Sequence, residues 1–195
     1  MSFILGLTGP TGSGKSSLKT KAEEFGFYVL DCDKTARKAA EKEECKEELR
    51  KAFGKDIFDE KGDLIRSLLA EKAFKTKEKT ELLNRTIFPF ITKLIKEEIK
   101  ASGRTKILLD APTLFESGMD SICGAVVAVL ADKETRLKRI MSRDKIEKEA
   151  ALIRLNAGKS DEFYKEKTPY VIYNNGEIDM LYKSFEDILN TIFGG

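Results

Sequence analysis

The chain has 195 residues, 41% hydrophobic and 35% charged, with 35 Lys and Arg against 33 Asp and Glu and no histidine. That length buries a sizeable core as one domain, or one domain with insertions, and a net charge of +2 gives no footing for strong nucleic-acid or membrane-surface binding. Without an imidazole there is no Ser-His-Asp triad, Cys-His pair or zincin motif, so proton transfer falls to carboxylates or lysines.

In chain order, Phe3 to Leu7 reads as a strand buried on both faces. Gly9-Pro10-Thr11-Gly12-Ser13-Gly14-Lys15-Ser16 follows and fits G-x-x-x-x-G-K-[ST], the phosphate-binding P-loop. Gly9, Gly12 and Gly14 let the backbone turn tightly and aim its N–H groups at phosphate oxygens. The helix behind the loop adds unpaired N–H groups and a positive dipole end. Lys15 reaches the β- and γ-phosphates, and the Ser16 hydroxyl suits Mg²⁺, a hard ion that prefers oxygen. This helix is expected to end near Phe25, with Gly26 as its stop. Phe27 to Leu30 is a second strand, ending in Asp31-Cys32-Asp33. Ligands of an open parallel sheet sit beyond the carboxyl ends of its strands, so this acidic pair falls on the rim of the phosphate loop. One of the two aspartates is expected to cap a helix starting at Lys34, leaving the other for chemistry.

Lys34 to Phe53 reads as one solvated helix, Leu64 to Phe74 as another with Asp63 as N-cap, and Glu78 to Lys100 as a third. Arg66 faces an anionic ligand or pairs with a nearby Glu. Ile87, Ile91, Ile95 and Ile99 form a core stripe, and Pro89 kinks the third helix or starts a new one. Lys106 to Asp110 is strand-like and ends in a carboxylate, a loose Walker B pattern, which makes Asp110 a candidate Mg²⁺ ligand, directly or through water. Ala125 to Leu130 is the most strand-like run, and Asp132 opens a helix to about Arg143. Arg139 and Arg143, one turn apart, either hold the transferred phosphoryl group or pair with Glu134, Glu147 or Asp144. Ile146 to Phe163 is helical with Gly158 interrupting it. Tyr170 to Tyr173 is the last strand, Asn174-Asn175-Gly176 a turn, and Glu177 to Phe193 a closing helix whose apolar face is Ile178, Leu181, Phe185, Ile188 and Leu189.

Five strands alternating with helices argue an α/β fold: a doubly wound, five-stranded parallel sheet of the P-loop NTPase type. The division expected is a single domain with its core at about 1–39, 104–142 and 168–195, a helical substrate-binding insertion at about 40–103 and a basic lid at about 143–167.

In order and spacing, these segments resemble the dephospho-CoA kinase family from end to end. Leu7 to Ser16 is similar to its L-T-G-G-I-G-S-G-K-S, Asp31-Cys32-Asp33 to its D-A-D, and Arg66, Leu69 and Phe74 to its R-x-x-L…F. Pro112-Thr113-Leu114-Phe115-Glu116 is close to P-L-L-F-E, Arg139 and Arg143 match R-x-x-x-R, and Asn174-Asn175-Gly176 matches the closing N-N-G. The resemblance implies ATP-dependent phosphorylation of the ribose 3′-hydroxyl of dephospho-CoA, the last step of coenzyme A synthesis, with Mg²⁺. It assigns Asp33 to the acceptor hydroxyl as base or orienting group. The catalytic set is then Lys15, Asp33, Arg139 and Arg143. ATP falls to Gly12, Ser13, Gly14, Lys15, Ser16 and Ser17, the acceptor to Asp33, Arg66, Leu114 and Glu116, and the metal to Ser16 and Asp110. The chain departs from the family pattern at Phe88-Pro89, where His-Pro is usual, near Gly158, where Gln is usual, and at Thr168 to Ile172, where A-D-D-V-I is usual. Other readings are a different small-molecule kinase of the nucleoside-monophosphate type and a nucleotide-dependent switch with slow hydrolysis.

Cys32, Cys45 and Cys123 are odd in number and form no C-x-x-C pair, as expected of reduced thiols in the cytoplasm and not of a disulfide frame or structural zinc site. Met1 to Leu7 lacks a basic n-region and a cleavage site, and no apolar run reaches the length of a membrane span. The partners expected are the two small-molecule substrates, ATP and dephospho-CoA, with no nucleic acid or membrane.

Overall fold

A computed structural model describes residues 2–194, which fall into two compact units, one up to Leu30 and from Arg104 onward, the other Asp31–Gly103. The first is built on strands β1 (Phe3–Thr8), β2 (Tyr28–Asp31), β3 (Lys106–Asp110), β4 (Ala125–Leu130) and β5 (Tyr170–Tyr173). They form one parallel sheet in the order β2-β3-β1-β4-β5. β1 is therefore central, with Leu5 opposite Leu108 of β3 and Ala125 of β4. Its burial on both sides is the reason its sequence is a continuous apolar run rather than an alternating one.

Period-two alternation divides the core between the two faces. Val127 and Val129 of β4 join Leu5, Leu7, Leu108 and Ile172 against Leu18 and Ala22 of α1 (Lys15–Glu24) and Leu181, Phe185 and Leu189 of α9 (Ile178–Phe193). Ala128 and Leu130 point the other way, onto Tyr164 of α8 (Asp161–Lys167), with Phe115 and Phe163 beside it. Helices thus cover both faces, as a doubly wound sheet requires. Between β4 and β5, α6 (Lys133–Asp144) packs on α7 (Lys148–Asn156) through Ile140, Ala151 and Leu155. Asp132 caps α6 by accepting from Thr135 N at 2.7 Å, and Ser160 caps α8 by accepting from Phe163 N at 3.3 Å. The helix expected from Ile146 to Phe163 is α7 and α8, broken around Gly158. Thr168, in the segment that departs from the family pattern, is buried and ties β5 to β4: its Oγ1 donates to Val126 O at 2.5 Å and accepts from Tyr170 N at 3.2 Å.

The second unit is helical: α2 (Cys32–Ala40), α3 (Glu43–Phe53), α4 (Arg66–Ala73) and α5 (Lys77–Ser102). The single helix expected over 34–53 is two. Asp31 is the cap, accepting from Lys34 N at 3.1 Å, so α2 starts at Cys32. α2 buries Thr35 and Ala39, whereas α3 buries Cys45, Leu49 and Phe53. Six residues separate Ala39 from Cys45, which on one continuous helix would set the two buried stripes about a third of a turn out of phase. The break at Glu41 and Lys42 lets both face inward. Asp63 does not cap α4, whose N-cap is Ile65 with no side-chain bond. The carboxylate organising that stretch is Asp59, which accepts from Lys61 N and Asp63 N at 2.9 Å each. Pro89 neither ends α5 nor begins a second helix; it lies inside one 26-residue helix. Ile91 and Ile95 of the expected stripe are buried and Ile87 packs on the cluster of α3 and α4, but Ile99 is only half-buried.

Candidate active site

β1 delivers the chain to the phosphate loop at the centre of the sheet edge. Gly9, Gly12 and Gly14 all take positive φ, at 137°, 79° and 91°. Each also meets a neighbour where a side chain would be. A Cβ on Gly9 would collide with Val129 O, one on Gly14 with Asn174 Nδ2, and one on Gly12 would lie 2.8 Å from Arg136 O. The glycines therefore do two jobs: they turn the loop, and they let β4, α6 and the turn after β5 press against it. Gly14, left-handed, is the N-cap of α1, so that helix opens on the loop.

A cavity of about 770 Å³ opens over this loop, within the size range of small-molecule sites. Gly12, Gly14, Lys15, Ser16 and Ser17 line it from the loop and α1, Asp110 from the end of β3, and Arg139 and Arg143 from α6. Lys15 Nζ donates to Gly9 O at 2.6 Å and to Pro10 O at 3.2 Å. Arg139 Nη1 donates to Asn174 O at 3.0 Å and to Ser13 O at 3.4 Å, clasping the loop from α6. Arg143 Nη2 reaches Thr11 Oγ1 at 3.4 Å, while its Nε donates to Asp144 Oδ1 at 2.7 Å. Asp144 is one of the carboxylate partners read from the sequence for this arginine, which also lines the cavity. Arg143, and Arg154 beside it, hold the Asp144 carboxyl down at about 2. Among the described residues five cations, Lys15, Lys19, Lys138, Arg139 and Arg143, line the cavity with one carboxylate, Asp110. That is an anion site on a chain of near-neutral total charge.

Within the unit that carries the cavity, three of the residues read for the site do not line it. Ser13 is fully buried; its carbonyl, not its side chain, is engaged, by Arg139 and by Asn174 Nδ2 at 2.8 Å. Leu114 is fully buried, and a Cβ on Gly6 would sit 2.7 Å from its Cδ2, so its side chain belongs to the core under β1 rather than to a ligand surface. Glu116 is half-buried, and its Oε2 has no hydrogen-bond partner among the described residues. Asp33 and Arg66 belong to the helical unit, in the first turns of α2 and α4. Arg66 lies 3.4 Å from Glu41 Oε1 in an exposed pair. Phe88 and Pro89 border a groove of about 620 Å³ on α5 with Arg85 and Lys96.

Sequence reasoning missed Lys19, Lys138, Ser142, Gly176 and Ile178 as lining residues. Ile178 was expected in the core but is 43% exposed. Asn174, read as part of a turn and of the closing N-N-G, is buried, and Gly14 is held bare to admit it. The signal for Lys19 is its i, i+4 spacing from Lys15.

Among the described residues no group of three or more His, Cys, Asp or Glu can hold a metal. Ser16 and Asp110 do line one cavity. Two oxygen donors beside a phosphate loop suit Mg²⁺, which keeps several waters and takes much of its shell from substrate phosphates. Among the described residues no helix is long and apolar enough to cross a membrane.

A β1-led phosphate loop at the centre of a parallel sheet sets the class: P-loop kinases. Comparison with known proteins narrows it. The family described as CoaE: Dephospho-CoA kinase matches residues 3–180. The dephospho-CoA kinase of Fusobacterium nucleatum is 39% identical over 190 residues, 97% of this chain and 98% of that one. A crystal structure from Thermus thermophilus superposes with a TM-score of 0.82 at 30% identity, covering 97% of both chains. The dephospho-CoA kinase structure from Campylobacter jejuni gives 0.68 at 29% identity, covering 100% of this chain and 99% of that one. The chain belongs to the dephospho-CoA kinase family.

Proposed function

We propose that the protein transfers the γ-phosphoryl group of ATP to the ribose 3′-hydroxyl of dephospho-CoA, giving coenzyme A and ADP. The observation that carries this reading is full-length kinship with dephospho-CoA kinases in a chain whose phosphate loop is complete. The amides of Gly12 to Ser17 hold the β- and γ-phosphates, Lys15 turns from its loop carbonyls onto them, and Arg139 and Arg143 compensate charge on the moving phosphoryl group. Ser16 and, directly or through water, Asp110 would hold Mg²⁺, which would neutralise phosphate charge. The acceptor oxygen attacks the γ-phosphorus in line as the bond to the β-phosphate oxygen breaks. Its proton passes to Asp33, and ADP departs with the bonding pair. A loose transition state needs positioning and charge compensation more than a strong base, which suits a chain without histidine.

The helical unit carrying Asp33 and Arg66 is the acceptor-binding part in this reading, with Glu116 added from the loop after β3. Leu114 supports that loop from the core. Cysteines that form no disulfide among the described residues, together with the nature of the substrates, support a cytoplasmic location in this reading. A coupled ADP-release assay with dephospho-CoA, adenosine, AMP or no acceptor tests it. ADP formed only with dephospho-CoA is the expected result; acceptor-independent release, or release with AMP alone, contradicts it.

A further inference from the structure

Two arginines on different helices share one carboxylate beside the phosphate cavity. Asp144 accepts from Arg143 Nε at 2.7 Å on Oδ1 and from Arg143 Nη2 at 3.0 Å on Oδ2, and Oδ2 accepts also from Arg154 Nη1. Arg143 lines the cavity, whereas Asp144 does not. The local fold builds this arrangement. α6 ends at Asp144, Lys145 turns the chain with a left-handed φ of 54°, and α7 packs back on α6 through Ile140, Ala151 and Leu155, which carries Arg154 to Asp144. The Asp144 side chain is 14% exposed and that of Arg143 60%, so the carboxylate is the fixed member of the pair and the guanidinium the one that needs fixing.

We propose that Asp144 is a positioning residue: it fixes the plane of the Arg143 guanidinium so that its Nη1–Nη2 edge meets the γ-phosphoryl group of the bound nucleotide. The inference rests on the reading of Arg143 as a contact of that group. A carboxylate that grips Nε and Nη2 occupies one side of the planar fork. The edge left over holds Nη1 and the second N–H of Nη2, and Nη2 reaches Thr11 Oγ1 of the phosphate loop at 3.4 Å, so that edge is turned to the loop. Arg139 is oriented by the carbonyl oxygens of Ser13 and Asn174; for Arg143 the corresponding anchor is Asp144. Released from it, a long and exposed side chain samples many orientations, and a misplaced charge-compensating group costs turnover. Asp144 offsets part of the Arg143 charge, but Arg154 shares the carboxylate, so the three groups together keep a positive charge for phosphate. Asp144 thus works through Arg143, and its signature is a loss of turnover that needs Arg143 to be present.

The test is a double-mutant cycle on the whole protein, with kcat and the KM for ATP read from dephospho-CoA-dependent ADP release. Asp144→Asn keeps the shape of the side chain and loses its charge. It is expected to lower kcat about tenfold while the KM for ATP changes by less than about threefold. Arg143→Met is expected to lower kcat by about 100-fold. Asp144→Asn added to Arg143→Met is expected to cost nothing further, because the group it orients is already gone. A loss from Asp144→Asn that carries over in full to the Arg143→Met background belongs to general structure and overturns the inference. Wild-type or faster turnover in Asp144→Asn, with Arg143→Met slow, overturns it too and leaves the role of Arg143 standing. Wild-type turnover in Arg143→Met removes both, and a wild-type protein without dephospho-CoA-dependent turnover removes the proposed function and this inference with it.

Discussion

Gly14 carries two constraints at one residue. Its φ of 91° excludes most side chains, and a Cβ there would strike Asn174 Nδ2, which donates to Ser13 O at 2.8 Å. Gly14→Ala is expected to cost about 2–4 kcal/mol and to weaken ATP binding, as read by thermal denaturation and by calorimetric titration. An unchanged melting temperature would show the loop to be looser than its geometry. Asp33 makes a different demand. If it takes the acceptor proton, Asp33→Asn lowers kcat by about 100-fold or more while the Kd for ATP stays near wild type. Wild-type turnover in that variant would remove Asp33 from the chemistry. A fall in ATP affinity as large as the fall in kcat would instead place it among the nucleotide contacts.

At the scale of elements, α6 and α7 are clasped by Asp144, which accepts from Arg143 and Arg154. Its folded pKa of about 2 lies below its ordinary value of 3.8. A depressed carboxyl contributes stability that is fully present above its unfolded pKa and is lost as pH falls through the folded one. The clasp is therefore constant from neutral pH down to about 4 and fails between about 4 and 2. In a titration of melting temperature, Asp144→Asn is expected to differ from wild type by a constant amount above that window and to converge on it below. A difference that varied between pH 6 and 8 would point to another group. Strands and their order of appearance were legible because each is an apolar run closed by a turn or a carboxylate; β3, β4 and β5 have the ends their sequences imply. The break between α2 and α3 was not. No Gly or Pro marks Glu41 and Lys42, and the cause is the phase of two buried stripes, visible only once both have something to pack against. Pro89 misleads in the opposite sense, being a local stop signal that a long packed helix overrides. The site divides in the same way. Lys15, Ser16, Arg139 and Arg143 follow from motif and spacing, because one loop or one helix face carries them. Lys19 on Asp110, and Asn174 on the loop, depend on which strand ends lie side by side, which no local pattern encodes.

Over the whole molecule the charges nearly cancel, yet five cations gather on one cavity. The field is local, set by three segments far apart in sequence that the parallel sheet brings to one rim: the loop after β1, the end of β3, and α6 after β4. Chemistry at that rim needs a phosphate donor held there and an acceptor hydroxyl brought to it, and dephospho-CoA supplies the hydroxyl. The most direct measurement is ³¹P NMR, with mass analysis of the product, during incubation of the protein with ATP, Mg²⁺ and dephospho-CoA. The expected result is one new 3′-phosphomonoester for each ADP formed with wild type, and neither with Lys15→Ala. ADP appearing without a new ester, or an ester on any hydroxyl other than the ribose 3′ position, would contradict it.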